Sequence, residues 1–210
     1  MTSRERLFDR RKLLIFDLDG TLVDSSPLHA RAFAEVFAPL GIEVDYERIA
    51  GMTTAGAIER LLEEHAVSLP DAEHERLRLA KQERALALIA AELEPLPGAV
   101  AFVEAARTRF ACALCTSASP ASVEAALART GMAGWFDPVV TAADVRRGKP
   151  EPEAFLLALA RARRSAAEAL VFEDSESGLR AAAAAGIDAV LVGREGQGWP
   201  ELMASLESAA

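Results

Sequence analysis

Asp17 and Asp19 stand two residues apart where the apolar run Leu13-Leu14-Ile15-Phe16 ends, and Gly20-Thr21-Leu22-Val23-Asp24-Ser25 follows at once. In an extended chain residues i and i+2 point to the same side, so the two carboxylates face one crevice. Two carboxylates held together in a partly dry site repel each other strongly and call for a cation between them. Magnesium suits the position, because it takes hard oxygen ligands and is commonly held by one or two carboxylates plus the oxygens of a bound phosphate. Asp-x-Asp-Gly is also ordinary turn chemistry, so the rest of the chain has to decide between the two readings.

Three other segments bear on that decision. Phe110-Ala111-Cys112-Ala113-Leu114-Cys115 reads as a strand ending in the hydroxyl-rich turn Thr116-Ser117-Ala118-Ser119, with Pro120 at a helix start. Arg146-Arg147-Gly148-Lys149-Pro150-Glu151-Pro152 places a lysine in a tight loop before a helix, in a chain whose only other lysines are Lys12 and Lys81. Ala169-Leu170-Val171-Phe172 reads as a further strand, ending in Glu173-Asp174-Ser175-Glu176-Ser177-Gly178. Each segment carries residues suited to phosphate or metal chemistry. In an open parallel sheet such strand ends converge on one crevice, where ligands bind. Attack of one anion on another needs concentrated positive charge, which a metal, Lys149 and backbone N–H groups near Gly20 and Ser117 can supply.

The elements needed to position these residues are legible as well. Strands are expected over about 12 to 17, 111 to 116, 138 to 141, 169 to 173 and 188 to 192, alternating with helical stretches rich in Ala, Leu and Arg. That alternation predicts an α/β fold with a doubly wound parallel sheet. From about residue 26 to 94 no strand is evident; Leu28 to Phe37, Thr54 to His65 and Asp71 to Leu93 read as helices. The organisation expected is therefore a catalytic core, residues 1–25 and 96–210, interrupted by an inserted α-helical cap, residues 26–95. A cap so placed would act as a lid that excludes water and selects the leaving group. The tail after Gly198 is expected to be peripheral. Cys112 and Cys115 form a C-x-x-C, yet within a strand they point to opposite faces roughly 10 Å apart, which makes them buried structural thiols rather than a disulfide.

With these motifs in this order, the chain resembles the haloacid dehalogenase superfamily, within it the capped sugar-phosphate phosphatases and beta-phosphoglucomutase-like enzymes. The resemblance spans nearly the whole chain: Asp17 to Ser25 match the first motif, Thr116 the hydroxyl motif, Gly148 to Pro152 the lysine motif, and Glu173-Asp174-Ser175 with Gly178 the acidic motif. It implies that Asp17 is a nucleophile forming an aspartyl-phosphate and that Asp19 is general acid and then base. It also implies that Thr116 and Lys149 hold phosphoryl oxygens and that Asp174, helped by Glu173, completes a magnesium site with Asp17 and Asp19. Gly20 and Ser117 are expected to contact the phosphate. His29 matches a cap-hinge histidine, and Thr53 lies in the expected substrate loop.

Mutase relatives carry a lysine and an arginine in that loop, where this chain reads Ala50-Gly51-Met52-Thr53-Thr54. The resemblance therefore favours a phosphatase of a sugar monophosphate over a phosphomutase or a catalytically silent binding protein. Phosphonate-cleaving relatives need a cap lysine for a Schiff base, and here the cap's only lysine, Lys81, lies in a long charged helix. With a net charge of −9, nucleic acid is not an expected partner. No apolar stretch is long enough for a membrane span, and residues 1–6 are too polar to open a secretory signal. The expected setting is cytoplasmic, as a monomer or weak dimer.

Overall fold

The protein is described by a computed structural model that covers residues 7–193 and 196–208; the polar opening segment, residues 1–6, lies outside the described residues. One parallel sheet is built from β1 (Leu13–Phe16), β2 (Ala111–Cys115), β3 (Val139–Val140), β4 (Ala169–Glu173) and β5 (Asp188–Leu191), in the spatial order β3-β2-β1-β4-β5. The chain steps outward from β1 to β2 and β3, then returns to the other side of β1 for β4. That reversal opens a crevice at the carboxyl ends of β1 and β4. All four β1 residues are fully buried, as a central parallel strand covered on both faces requires. Alternate residues serve different faces: Leu13, Ile15, Ala113 and Val171 pack with Phe155 and Ala181, while Phe16 and Phe172 stack with ring centroids 5.0 Å apart on the other face.

The helices are α1 (Ser26–Phe37), α2 (Thr54–Glu64), α3 (Asp71–Glu92), α4 (Ala99–Ala106), α5 (Pro120–Arg129), α6 (Glu153–Ala162), α7 (Glu176–Ala184) and α8 (Trp199–Ser208). Contacts divide the chain into two compact units, Ser25–Leu93 and Met1–Asp24 with Glu94–Ala210. The first holds α1, α2 and α3 around Phe33, Phe37, Ile49, Ile58, Leu61 and Leu62. The second holds the sheet. Both cysteines are free and buried, and burial pushes each thiol up to about 12.

The tail after Gly198 departs from expectation. It forms α8, whose Trp199, Leu202 and Leu206 are buried in the sheet unit. Spacing of i, i+3 and i+7 puts these three on one helix face, and Trp199 lies 4.8 Å from Phe102, centroid to centroid.

Candidate active site

Asp17 follows β1 directly, with its N–H donating to the Phe172 carbonyl at 3.0 Å, so the β1–β4 ladder fixes its backbone. Its carboxylate is buried. The Lys149 ammonium donates to Asp17 Oδ1 at 2.5 Å and to the Cys115 carbonyl at 3.0 Å, and pairs with Glu173 Oε1. One cation thus ties together the ends of β1, β2 and β4. Burial by itself would lower the Lys149 pKa, but the Asp17 and Glu173 carboxylates outweigh it and raise the pKa above its ordinary value. Burial lifts the Asp17 carboxyl well above the ordinary range; Lys149 pulls against that lift, while Glu173 and Asp19 reinforce it. Burial, with Glu173 beside it, raises Asp174 to about 6.

Two glycines make room for the acidic pair. Glu173 is fully buried, and its Oε2 accepts from the Ser175 hydroxyl at 2.9 Å and the Ser175 N–H at 3.3 Å. Ser175 in turn caps α7, its hydroxyl accepting from the Gly178 N–H at 3.0 Å. A Cβ on Gly178 would lie 1.9 Å from Glu173 Cδ, so only glycine leaves space for the carboxylate. Gly20, at φ +85°, has the same relation to Asp174: a Cβ would lie 1.9 Å from its Oδ2. The expected role of the Gly20 N–H toward phosphate is not what its bonding shows, because that N–H donates to Val23 O at 2.7 Å. What Gly20 supplies is space and a left-handed turn.

Asp17, Glu173 and Asp174 bring carboxylate oxygens within 4.8 Å of one another, a hard-oxygen donor set that fits a divalent cation such as magnesium. Asp19, half-buried in the turn that follows, is not part of that group. Thr116 is buried, its Oγ1 accepting from the Ala118 N–H at 3.0 Å. With Ser117, Ala142, Val145, Arg146 and Lys149 it lines a cavity of about 240 Å³. In the sequence Ser175 and Gly178 stand only as parts of the acidic motif, and their support of Glu173 shows where its side chain lies against Gly178.

The helical unit holds the remaining candidates. Thr53 caps α2, its hydroxyl accepting from the Gly56 N–H at 3.2 Å. Lys81, in the charge-rich α3, is buried. Its Nζ lies 3.0 Å from His29 Nδ1 and 4.6 Å from the Phe33 ring centroid. Burial lowers Lys81 to about 8; burial and the Lys81 charge lower His29 to about 4.

The sequence model of the haloacid dehalogenase-like hydrolases matches residues 11–186. The chain belongs to this family of hydrolases. It is 34% identical to the fructose-1-phosphate phosphatase YqaB of Escherichia coli, over 88% of this chain and 97% of that one. It is 33% identical to a phosphorylated carbohydrates phosphatase of Thermotoga maritima, over 84% and 82%. Among solved structures, a mutant of CbbY from Rhodobacter sphaeroides in complex with xylulose-(1,5)bisphosphate superposes with a TM-score of 0.76 at 30% identity, covering 88% of this chain and 87% of that one. The family and the two named phosphatases together support a phosphatase. Among the described residues no helix is long and apolar enough to cross a membrane.

Proposed function

We propose that this hydrolase is a magnesium-dependent phosphatase of a small phosphorylated metabolite, a sugar monophosphate, working in the cytoplasm through an aspartyl-phosphate on Asp17. The observation that carries the reading is the Lys149 ammonium, which holds the buried Asp17 carboxylate at 2.5 Å beside a second acidic pair. An anionic nucleophile and an anionic substrate meet productively only where such positive charge is fixed in advance. Asp17 attacks phosphorus, the bond to the sugar oxygen breaks, and Asp19 gives that oxygen its proton. Asp19 then takes a proton from water, which attacks phosphorus and frees phosphate and Asp17. Thr116 and Ser117 hold phosphoryl oxygens throughout, and Lys149, bonded to Asp17, Glu173 and the Cys115 carbonyl before attack, holds one as the Asp17 oxygen goes to phosphorus. Asp17, Asp174 and Glu173 would hold magnesium, which supplies charge neutralisation for the phosphoryl group when bound. Asp19, in the turn beside that trio, serves the proton. The Ser25–Leu93 unit acts as the cap that selects the substrate body, with His29 and Thr53 as its polar contributors.

A second reading, transfer within the substrate as in a mutase, draws on the bisphosphate bound to the CbbY relative. A panel of hexose and pentose phosphates, followed for free phosphate and for isomers together, separates the two. The proposal expects phosphate from monophosphates, abolished by excess chelator and restored by magnesium. Isomer formation with little free phosphate would replace it with the second reading, and no turnover of any phosphate ester would end both.

A further inference from the structure

Trp199 is buried among Phe16, Phe102 and Phe172, and its position asks for more than a place in the core. Its indole N–H donates to the Thr21 carbonyl at 2.9 Å in a buried setting. The turn it reaches is tightly closed: Gly20 N–H donates to Val23 O at 2.7 Å, and the Leu22 and Val23 N–H groups both donate to Leu18 O, at 2.8 and 3.0 Å. Asp19 lies inside that turn, so its carboxylate is aimed by whatever fixes the turn. Thr21 is fully buried, and its hydroxyl has no protein partner among the described residues. Its carbonyl therefore gives the fold one polar hold on the turn, beside the Leu22 carbonyl, which accepts from the Leu96 N–H at 2.8 Å. The same stretch of chain meets the turn a second time, since a Cβ on Gly193, at φ +96°, would lie 3.2 Å from the Gly20 carbonyl oxygen. The Trp199 ring also lies 6.0 Å from Phe16 and 5.5 Å from Phe172, the residues just before Asp17 and Glu173.

We infer that Trp199 is a positioning residue for the Asp17–Val23 turn, and that α8, through its indole N–H, sets the aim of Asp19. The inference rests on the reading of Asp19 as the acid and base. A core tryptophan with no such role would contribute through ring packing alone, and packing survives in Trp199→Phe while the N–H is lost.

The test compares wild type, Trp199→Phe and Leu202→Ala on a hexose monophosphate and on an aryl phosphate, with melting temperatures alongside. An aryl leaving group departs with little need of a proton, while hydrolysis of the aspartyl-phosphate is common to both esters, so misaimed Asp19 should lower kcat/KM, which reports the transfer to Asp17, selectively for the sugar phosphate. For Trp199→Phe, kcat/KM on the sugar phosphate falls about 10-fold, the factor for ~1.4 kcal/mol of lost alignment. On the aryl phosphate it falls less than about 3-fold, which corresponds to ~0.65 kcal/mol. Leu202→Ala, which loses only packing on the same helix face, lowers the melting temperature but leaves the ratio of the two rates as in wild type. Trp199→His, which keeps a ring N–H, recovers part of the sugar-phosphate rate; should Trp199→Phe not fold, Trp199→Met, which also lacks a donor, is read in its place. An unchanged rate ratio in Trp199→Phe, or equal losses on both substrates, overturns the inference while leaving the phosphatase reading intact. A wild type that releases phosphate from neither ester overturns that reading, and the inference falls with it.

Discussion

Gly178→Ala puts two effects of known size in opposition. Gly178 lies inside α7, where alanine is ordinarily favoured over glycine by about 1 kcal/mol. Here the added Cβ would stand 1.9 Å from Glu173 Cδ and 2.1 Å from each of its oxygens. Glu173 is fully buried and cannot swing into solvent. To escape, it must give up its pair with Lys149 and its bonds from Ser175 at 2.9 and 3.3 Å. Hydrogen bonds to charged groups are each worth about 1.5–3 kcal/mol, so losing two of them outweighs the helix gain and leaves a net loss of about 2–5 kcal/mol. For a chain of this size that lowers the melting temperature by roughly 5–20 °C. The displaced carboxylate also releases Lys149 from its place at Asp17, so turnover should fall by about 100-fold or more, as when a preorganised donor is lost. Thermal melts and phosphate release on the same preparation measure both. A variant that melts at or above the wild-type temperature with unimpaired turnover would refute the claim that Gly178 is kept for Glu173.

Three further outcomes follow from the same geometry. Lys149→Ala should cost at least about 100-fold in kcat, and Lys149→Arg should not restore it, because a planar fork cannot reproduce one compact ammonium meeting three acceptors; near-wild-type rates in either would move Lys149 out of the site. Activity should vanish in excess chelator and return with magnesium, and Asp174→Ala should raise the magnesium concentration needed for half-maximal rate well above the wild-type value in a titration. His29 is held neutral by burial and by Lys81, with its folded pKa near 4 against 6.5 unfolded. The unfolded chain therefore binds more protons across that window, and stability falls as pH drops from about 6.5 to 4. His29→Gln should remove a part of that acid sensitivity on the order of 2 kcal/mol, read as the change in urea midpoint between the two pH values; an identical pH dependence in both proteins would contradict it.

Much of the site could be read from the chain because its chemistry is written in contiguous motifs that end strands. Asp17, Thr116, Lys149, Glu173 and Asp174 follow apolar runs or precede a helix, and the parallel sheet gathers such ends without further information. Less legible were contacts that depend on where a side chain turns. Lys81 sits in a helix whose neighbours Glu73, Glu75, Arg76, Arg78 and Arg84 are charged, and only packing against Phe33 and His29 shows that it points inward. Gly20 reads as a phosphate-loop glycine by type, whereas its N–H is already given to Val23. Trp199-Pro200 at the head of a short tail resembles a loose end, because the aromatic surface it fills comes from Phe16, Phe102 and Phe172, far away in sequence.

The central claim, that phosphate is passed through Asp17, is tested most directly by trapping it there. Enzyme turning over a sugar monophosphate is quenched in acid, reduced with borohydride, digested and read by mass spectrometry. An aspartyl-phosphate predicts conversion of Asp17 to homoserine in proportion to the enzyme loaded at the quench, no such conversion in Asp17→Asn, and loss of turnover in that variant. Rapid phosphate release with Asp17 unmodified at every quench time, together with wild-type turnover by Asp17→Asn, would contradict the account.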